Sequence, residues 1–189
     1  MIRFFIFSLS VIFLPSCSLV VDAVDISRRR SQAVAQGTTI QGKGFTIKAP
    51  ASGLYPVLNT PGKGGVTFRP TDPQFDGLVY FVTPFLQAQV ETTQQALIQW
   101  NLVAARKGIQ AKVLEQKETQ YRGFPATEAL VEILQGPGGH IVSVLVVKSA
   151  TGFFVLNRGD RFNNSQLRAK SIERCRAGMK QLKDATTIQ

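Results

Sequence analysis

Few residues of this chain have the type and spacing that catalysis requires. The sequence contains one histidine, His140, and two cysteines, Cys17 and Cys175. A Cys–His or Ser–His–Asp site would have to use His140, which follows the glycine-rich stretch Gly136–Gly139 and is expected to face solvent at a hairpin. Cys175 is expected on the buried face of a helix. We therefore expect neither side chain to be catalytic.

Acidic pairs give equally little support for a metal or hydrolase site. Asp72 and Asp76 flank a proline and lack an oxygen-rich calcium loop, which favours a turn. Glu128 and Glu132 share one face of an expected strand, but four residues along a strand separate them by roughly 13 Å, too far for a glycosidase pair. We expect both glutamates on a solvated face. No His and Cys spacing matches zinc, so we expect neither a metal nor a cofactor.

The N-terminus carries the most informative motif of the chain. Met1-Ile2-Arg3 precedes the apolar run Phe4–Leu14, which is shorter than the roughly 20 residues of a membrane-spanning helix and is typical of a signal peptide. Leu14-Pro15-Ser16-Cys17 then resembles the lipobox of bacterial lipoprotein precursors. The resemblance implies a signal peptide of residues 1–16, cleavage before Cys17 and acylation of its thiol. Pro15 departs from the Ala, Ser or Thr that is common at its position.

Acylation would place the mature chain in the cell envelope on a lipid anchor. Two or three acyl chains hold a protein at a membrane stably, whereas a single chain holds it marginally. In enteric-type lipoproteins, an Asp directly after the acylated cysteine resembles an inner-membrane retention signal. This chain has Ser18 at that position. We therefore expect the outer membrane, facing the periplasm, where the host has two membranes. An ordinary signal peptide, giving a soluble periplasmic protein, and an uncleaved anchor are the alternatives.

The charge of the chain narrows the choice of partners. The formal net charge is +10, and an envelope address argues against nucleic acid, which leaves anionic lipid or a solvated surface. The run Arg28-Arg29-Arg30 follows Cys17 closely enough to contact anionic headgroups. It also fits a solubilising charge cluster in a disordered tether, and the sequence leaves both interpretations open.

Hydrophobic periodicity indicates one domain at residues 44–183, after a lipidated tether at residues 17–43 and before a tail at residues 184–189. A marginal helix is expected in the tether at about 20–35. Helices of the domain are expected from a cap at Thr92 or Thr93 to about 107, and from a cap at Asn163 or Asn164 to about 182. The expected strands cover residues 45–48, 66–69, 78–83, 112–121, 126–134, 141–147 and 153–156.

The apolar pattern of these elements predicts the fold class. Strands 78–83, 141–147 and 153–156 are apolar on both faces, so both faces must be covered. Strand 112–121 is mostly polar, as at a sheet edge. The first helix has two apolar stripes, one through Leu97 and one through Ile98, typical of a helix packed between layers. We expect an α/β (α+β) fold, a mainly antiparallel sheet covered by helices on both faces as an α/β/α sandwich.

Two short motifs connect this pattern to a known group of domains. Phe45-Thr46-Ile47-Lys48-Ala49-Pro50 resembles the entry strand of PsbP-like, Mog1-like and DcrB-like domains, and the turn Tyr121–Ala126 is similar to their mid-domain hairpin. The resemblance covers about residues 44–183. It implies a sandwich used for binding and assembly, with no shared catalytic residues. We therefore expect a non-catalytic module with an envelope protein partner. An envelope enzyme whose site is not recognisable from sequence is the alternative.

Overall fold

The structure is a computed structural model that describes residues 25–58, 64–72, 79–85, 90–105, 110–135 and 138–189. The lipobox, Cys17 and Asp76 lie outside the described residues. In chain order the described strands are β1 (Thr39–Gly42), β2 (Phe45–Lys48), β3 (Leu54–Leu58), β4 (Val66–Pro70), β5 (Val79–Phe85), β6 (Gln110–Tyr121), β7 (Phe124–Gln135), β8 (Gly138–Ser149), β9 (Gly152–Phe162) and β10 (Thr186–Ile188). The helices are α1, which includes residues 25–31, α2 (Thr93–Ala105) and α3 (Ser165–Ala185).

Seven strands form one antiparallel sheet in the order β3-β4-β5-β9-β8-β7-β6. Helix α2 packs over β6, β7 and β8, and α3 packs over β8 and β9. Alternate side chains of β8 divide between the two helices. Val142 and Val144 pack with Leu97 of α2, whereas Ile141 packs with Cys175 of α3. The predicted antiparallel sheet with helices on both faces is therefore confirmed.

Both long helices begin where their capping residues predict. The Thr92 hydroxyl accepts a hydrogen bond from the Gln95 backbone N–H at 3.2 Å, and the Gln95 side chain accepts one from the Thr92 N–H at 3.2 Å, which is a capping box. The Asn164 side chain accepts a bond from the Leu167 N–H at 2.9 Å at the start of α3. The prediction that Ile98 belongs to a second buried stripe of α2 is wrong, since Ile98 is 56% exposed because α2 lies on the outside of the sheet.

Two tight hairpins produce the longest strands. Arg122 and Gly123 form a two-residue turn with positive φ at both positions, 52° and 84°, which matches the twist of the flanking strands β6 and β7. Strands β8 and β9 pair from Ser149 and Gly152 outward, as the sequence predicts. β6 ends the sheet and is the edge strand that its polar pattern indicates.

A second, three-stranded sheet in the order β1-β2-β10 packs beside α3. It places the predicted entry strand, β2, outside the main sheet. β1 and β10 lie beyond the limits 44–183 that the sequence suggests for the domain, and both pair with β2. The Tyr121 hydroxyl lies 2.8 and 2.6 Å from the carbonyl oxygens of Lys183 and Thr186, where α3 passes into β10. Strands this short have no periodicity of their own, and pairing with β2 defines them.

Candidate functional site

Acidic side chains on the sheet are held beneath the arginines of α3. On β7, Glu132 accepts two hydrogen bonds from the Arg168 guanidinium, at 2.5 and 2.9 Å. On β9, Asp160 accepts one from Arg174 at 2.6 Å. The bonds from Arg168 lower the pKa of Glu132 below its ordinary value, although burial acts in the opposite direction. The first half of α3 is therefore fixed to the sheet by charge-assisted bonds as well as by apolar packing.

The second half of α3 continues this row toward the sheet edge. The Lys183 ammonium lies 3.0 and 3.1 Å from the carboxylate oxygens of Glu128, and Lys117 of β6 lies 3.5 Å from the same carboxylate. Arg176 pairs with Glu115 of β6. The expectation that Glu128 and Glu132 face solvent is therefore wrong. It failed because the strand pattern alone does not show that a cationic helix covers that face.

An open groove of about 390 Å³ lies between this end of α3 and the strands β6 and β7. Leu130 and Ser143, both buried, contribute to its floor. Lys180 lines the groove, is exposed and has no ion-pair partner among the described residues. The walls carry four positive and two negative side chains, which are Lys117, Arg176, Lys180, Lys183, Glu115 and Glu128. Since each carboxylate already pairs with a cation, the groove presents an excess of positive charge.

The two residues that a nucleophilic site would need lie on opposite faces of the sheet. Cys175 is fully buried on the inner face of α3, its thiol donates to the Ile141 carbonyl, and burial raises its pKa to about 12. His140 precedes Ile141 on β8, so its side chain points to the other face. Cys175 faces the core as predicted, but His140 is half-buried within a strand and not in a solvent-facing loop. Burial and the nearby Arg161 lower the pKa of the imidazole.

Arg158 of β9 is a buried cation that the sequence pattern did not indicate. It is 2% exposed, and its guanidinium lies over the Tyr80 ring, 4.6 Å from the centroid. A side-chain carbon at Gly178 of α3 would lie 2.5 Å from the Arg158 Nε, so the glycine makes room for the arginine. A glycine on the buried face of a helix was the available signal, because it marks a close approach.

The structure places the three arginines of the expected tether on α1. Arg29 bonds to Asp25 at 2.7 Å on the same helix, while Arg28 and Arg30 are exposed. A cleft of about 480 Å³ lies beside α1 and includes Arg69 and the side chain of Leu58 among its walls. Contact of these arginines with lipid stays a prediction.

The described part of the chain contains neither a metal-binding cluster nor a membrane-spanning helix. There, no group of three or more His, Cys, Asp or Glu side chains is placed to hold a metal ion. Within the same residues, no helix has the length and apolar character needed to cross a bilayer.

The architecture and the groove define a class of domain, an antiparallel sheet between helices with a charged groove at one edge. The chain matches no protein-family model and no curated protein sequence. Its fold is similar to that of cyanobacterial PsbP (CyanoP) from Synechocystis sp. PCC 6803, with a TM-score of 0.55 and 12% identity over 82% of this chain and 94% of that one. It is also similar to the Ran-binding protein Mog1p of Saccharomyces cerevisiae, with a TM-score of 0.58 and 10% identity over 82% of this chain and 96% of that one. The predicted PsbP-like and Mog1-like architecture is confirmed at the level of the fold.

Proposed function

We propose that this protein is a lipid-anchored lipoprotein of the cell envelope whose domain binds a partner and does not catalyse a reaction. The observation that carries the binding role is the groove beside α3, where Glu115 and Glu128 are already paired and cations are in excess. The separation of Cys175 and His140 by the sheet supports a non-catalytic role. The fold that this chain shares with a Ran-binding protein is compatible with protein binding.

The proposed anchor is the acylated thiol of Cys17, which becomes the N-terminal residue when the signal peptide of residues 1–16 is removed. Only a short segment separates Cys17 from residue 25, the first described residue of α1. Even a fully extended segment of that length would keep α1 within about 30 Å of the membrane surface. Arg28 and Arg30 then fit contact with anionic headgroups, each contributing about 1 kcal/mol. A solubilising role for these arginines is the alternative, and flotation of the unacylated Cys17→Ser chain with anionic vesicles, with and without Arg28→Glu and Arg30→Glu, distinguishes the two.

Metabolic labelling with a clickable fatty acid tests the anchor. The wild-type chain and a Cys175→Ala control should both incorporate label, whereas Cys17→Ser should not, because the other cysteine is buried and its thiol stays protonated. An unlabelled wild-type chain would contradict the lipoprotein proposal. It would favour a soluble periplasmic protein instead.

A further inference from the structure

The edge of the main sheet at β6 has the properties of a docking strand. Among the described strands β6 pairs with β7 alone, so its outer N–H and C=O groups are free to bond an added strand. A bulge between Val113 and Glu115 interrupts the pairing, but from Glu115 to Tyr121 each residue opposes one partner on β7. This regular part of β6 borders the groove.

The two sides of this edge differ in charge. On the α3 side, Lys117 of β6 stands beside Arg176 and Lys180 of α3 around the groove. On the α2 side, Glu118 of β6 accepts a hydrogen bond from Gln94 of α2 at 2.8 Å. An added strand would turn alternate side chains to the two sides. The cations would therefore select carboxylates at every second position of that strand, all on the α3 side.

We propose that β6 and the groove bind an extended acidic segment of a partner protein as an additional strand. This inference deepens the binding role proposed above by naming the surface and the chemistry of the partner. Backbone bonds to β6 supply affinity, and Lys117 and Lys180 supply the selection for acidic side chains. Both lysines are exposed, with the Lys117 side chain 70% accessible, so both can turn toward a new carboxylate.

Fluorescence anisotropy with a short labelled peptide that alternates glutamate and valine tests the proposal on the full mature chain in detergent micelles. Lys117→Glu and Lys180→Glu should each raise the Kd about tenfold, because each reverses one contact. Lys170→Glu is the matched control. Lys170 is an exposed lysine of α3 that does not line the groove, so its reversal should change the Kd by less than about twofold. Thermal melts of all three variants check that the fold is retained.

Two peptide controls separate strand addition from charge attraction. A peptide with lysine in place of glutamate should not bind. A peptide that keeps the glutamates but is N-methylated at consecutive backbone nitrogens, so that both of its edges are blocked, should bind at least about tenfold more weakly, because it cannot pair along a strand edge. Equal binding of the methylated peptide would overturn the proposal, and so would an equal effect of all three lysine reversals.

A membrane is the other anionic surface in the envelope, and it gives a distinct result. If phosphatidylglycerol vesicles bind the chain with the same dependence on Lys117 and Lys180, and the peptide does not, the surface recognises lipid and the proposal is wrong. Fatty-acid labelling of Cys17 is independent of these measurements. A labelled chain that fails to bind the acidic peptide therefore loses this inference and keeps its proposed anchor.

Discussion

The two faces of the main sheet are covered by helices with different chemistry. Beneath α2 the sheet presents small apolar side chains, such as Val131 and Val144, and they pack with Leu97. Beneath α3 the sheet presents carboxylates, such as Glu132 and Asp160, bonded to arginines of the helix. One face is therefore held by burial of apolar surface, and the other is held by apolar burial together with charge-assisted bonds.

This difference bears on where a ligand can bind. Apolar side chains such as Val131 and Val144 fill the space beneath α2, whereas the α3 face arranges cations around a groove open to solvent. Charges held on a strand and a long helix are fixed more firmly than charges on a loop. The face that is harder to foresee from the sequence is therefore the one suited to recognition.

The largest expected effect comes from a substitution on the α2 face of β8, compared with the same substitution at the neighbouring residue on the α3 face. Val144 is fully buried on the α2 face, so Val144→Asp introduces an unpaired charge and should cost at least about 3 kcal/mol in the free energy of unfolding. Ser143→Asp places the same carboxylate on the floor of the groove, near cations, and should cost much less. Urea unfolding of both variants gives the comparison. Equal losses would show that the faces do not differ as described.

The apolar face could be predicted from the sequence because its signal is local. The consecutive apolar residues 144–147 of β8 show that both of its sides are covered, and Asn164 marks the start of α3. The charged face could not, because a glutamate on a strand looks the same in solvent and under a cationic helix. Glu132 and Arg168 are far apart in the chain, and the fold alone brings them together. Arg158 was missed for the same reason, since Tyr80 and Gly178 accommodate it from distant segments.

An effect of intermediate size is expected for the ion pairs of the α3 face. Glu132 is buried and bonded twice to Arg168, so Glu132→Gln should lower the free energy of unfolding by about 1 kcal/mol at pH 7. Glu115→Gln should have almost no effect, because both members of the Glu115–Arg176 pair are exposed and screened by water. Urea unfolding measures both variants, and a larger loss for the exposed pair would contradict this ranking.

The pH dependence of the same pair follows from its pKa. Because Arg168 lowers the pKa of Glu132 in the folded state, the carboxylate contributes stability above its ordinary pKa of 4.5 and loses it as the pH falls below that value. The wild-type chain should therefore lose more stability than Glu132→Gln between pH 5 and about pH 2. Parallel curves for the two proteins would show that the pair does not couple folding to protonation.

The smallest effect concerns His140, on the α2 side of β8. Burial lowers the pKa of its imidazole below 6.5, so the unfolded chain takes up a proton at a higher pH than the folded chain does. The neutral ring contributes stability above pH 6.5, and that contribution falls as the pH drops below 6.5. This pH range lies above the range in which protonation of Glu132 lowers stability. His140→Gln should change the free energy of unfolding by about 0.5 kcal/mol at pH 7.5 and remove the slope between pH 6.5 and about 5.

Because the chain has a single histidine, its imidazole proton signal can be followed by NMR without assignment. A midpoint below 6.5 in the folded protein, shifted to 6.5 in urea, is the expected result. Asp160 acts in the opposite direction from burial and Arg161. A titration midpoint at or above pH 6.5 would therefore show that the Asp160 carboxylate raises the imidazole pKa by more than burial and Arg161 lower it. His140 would then be a cation on the α2 side of β8 in mildly acidic solution. The two faces of the sheet would differ less in charge at β8, the strand that both helices contact.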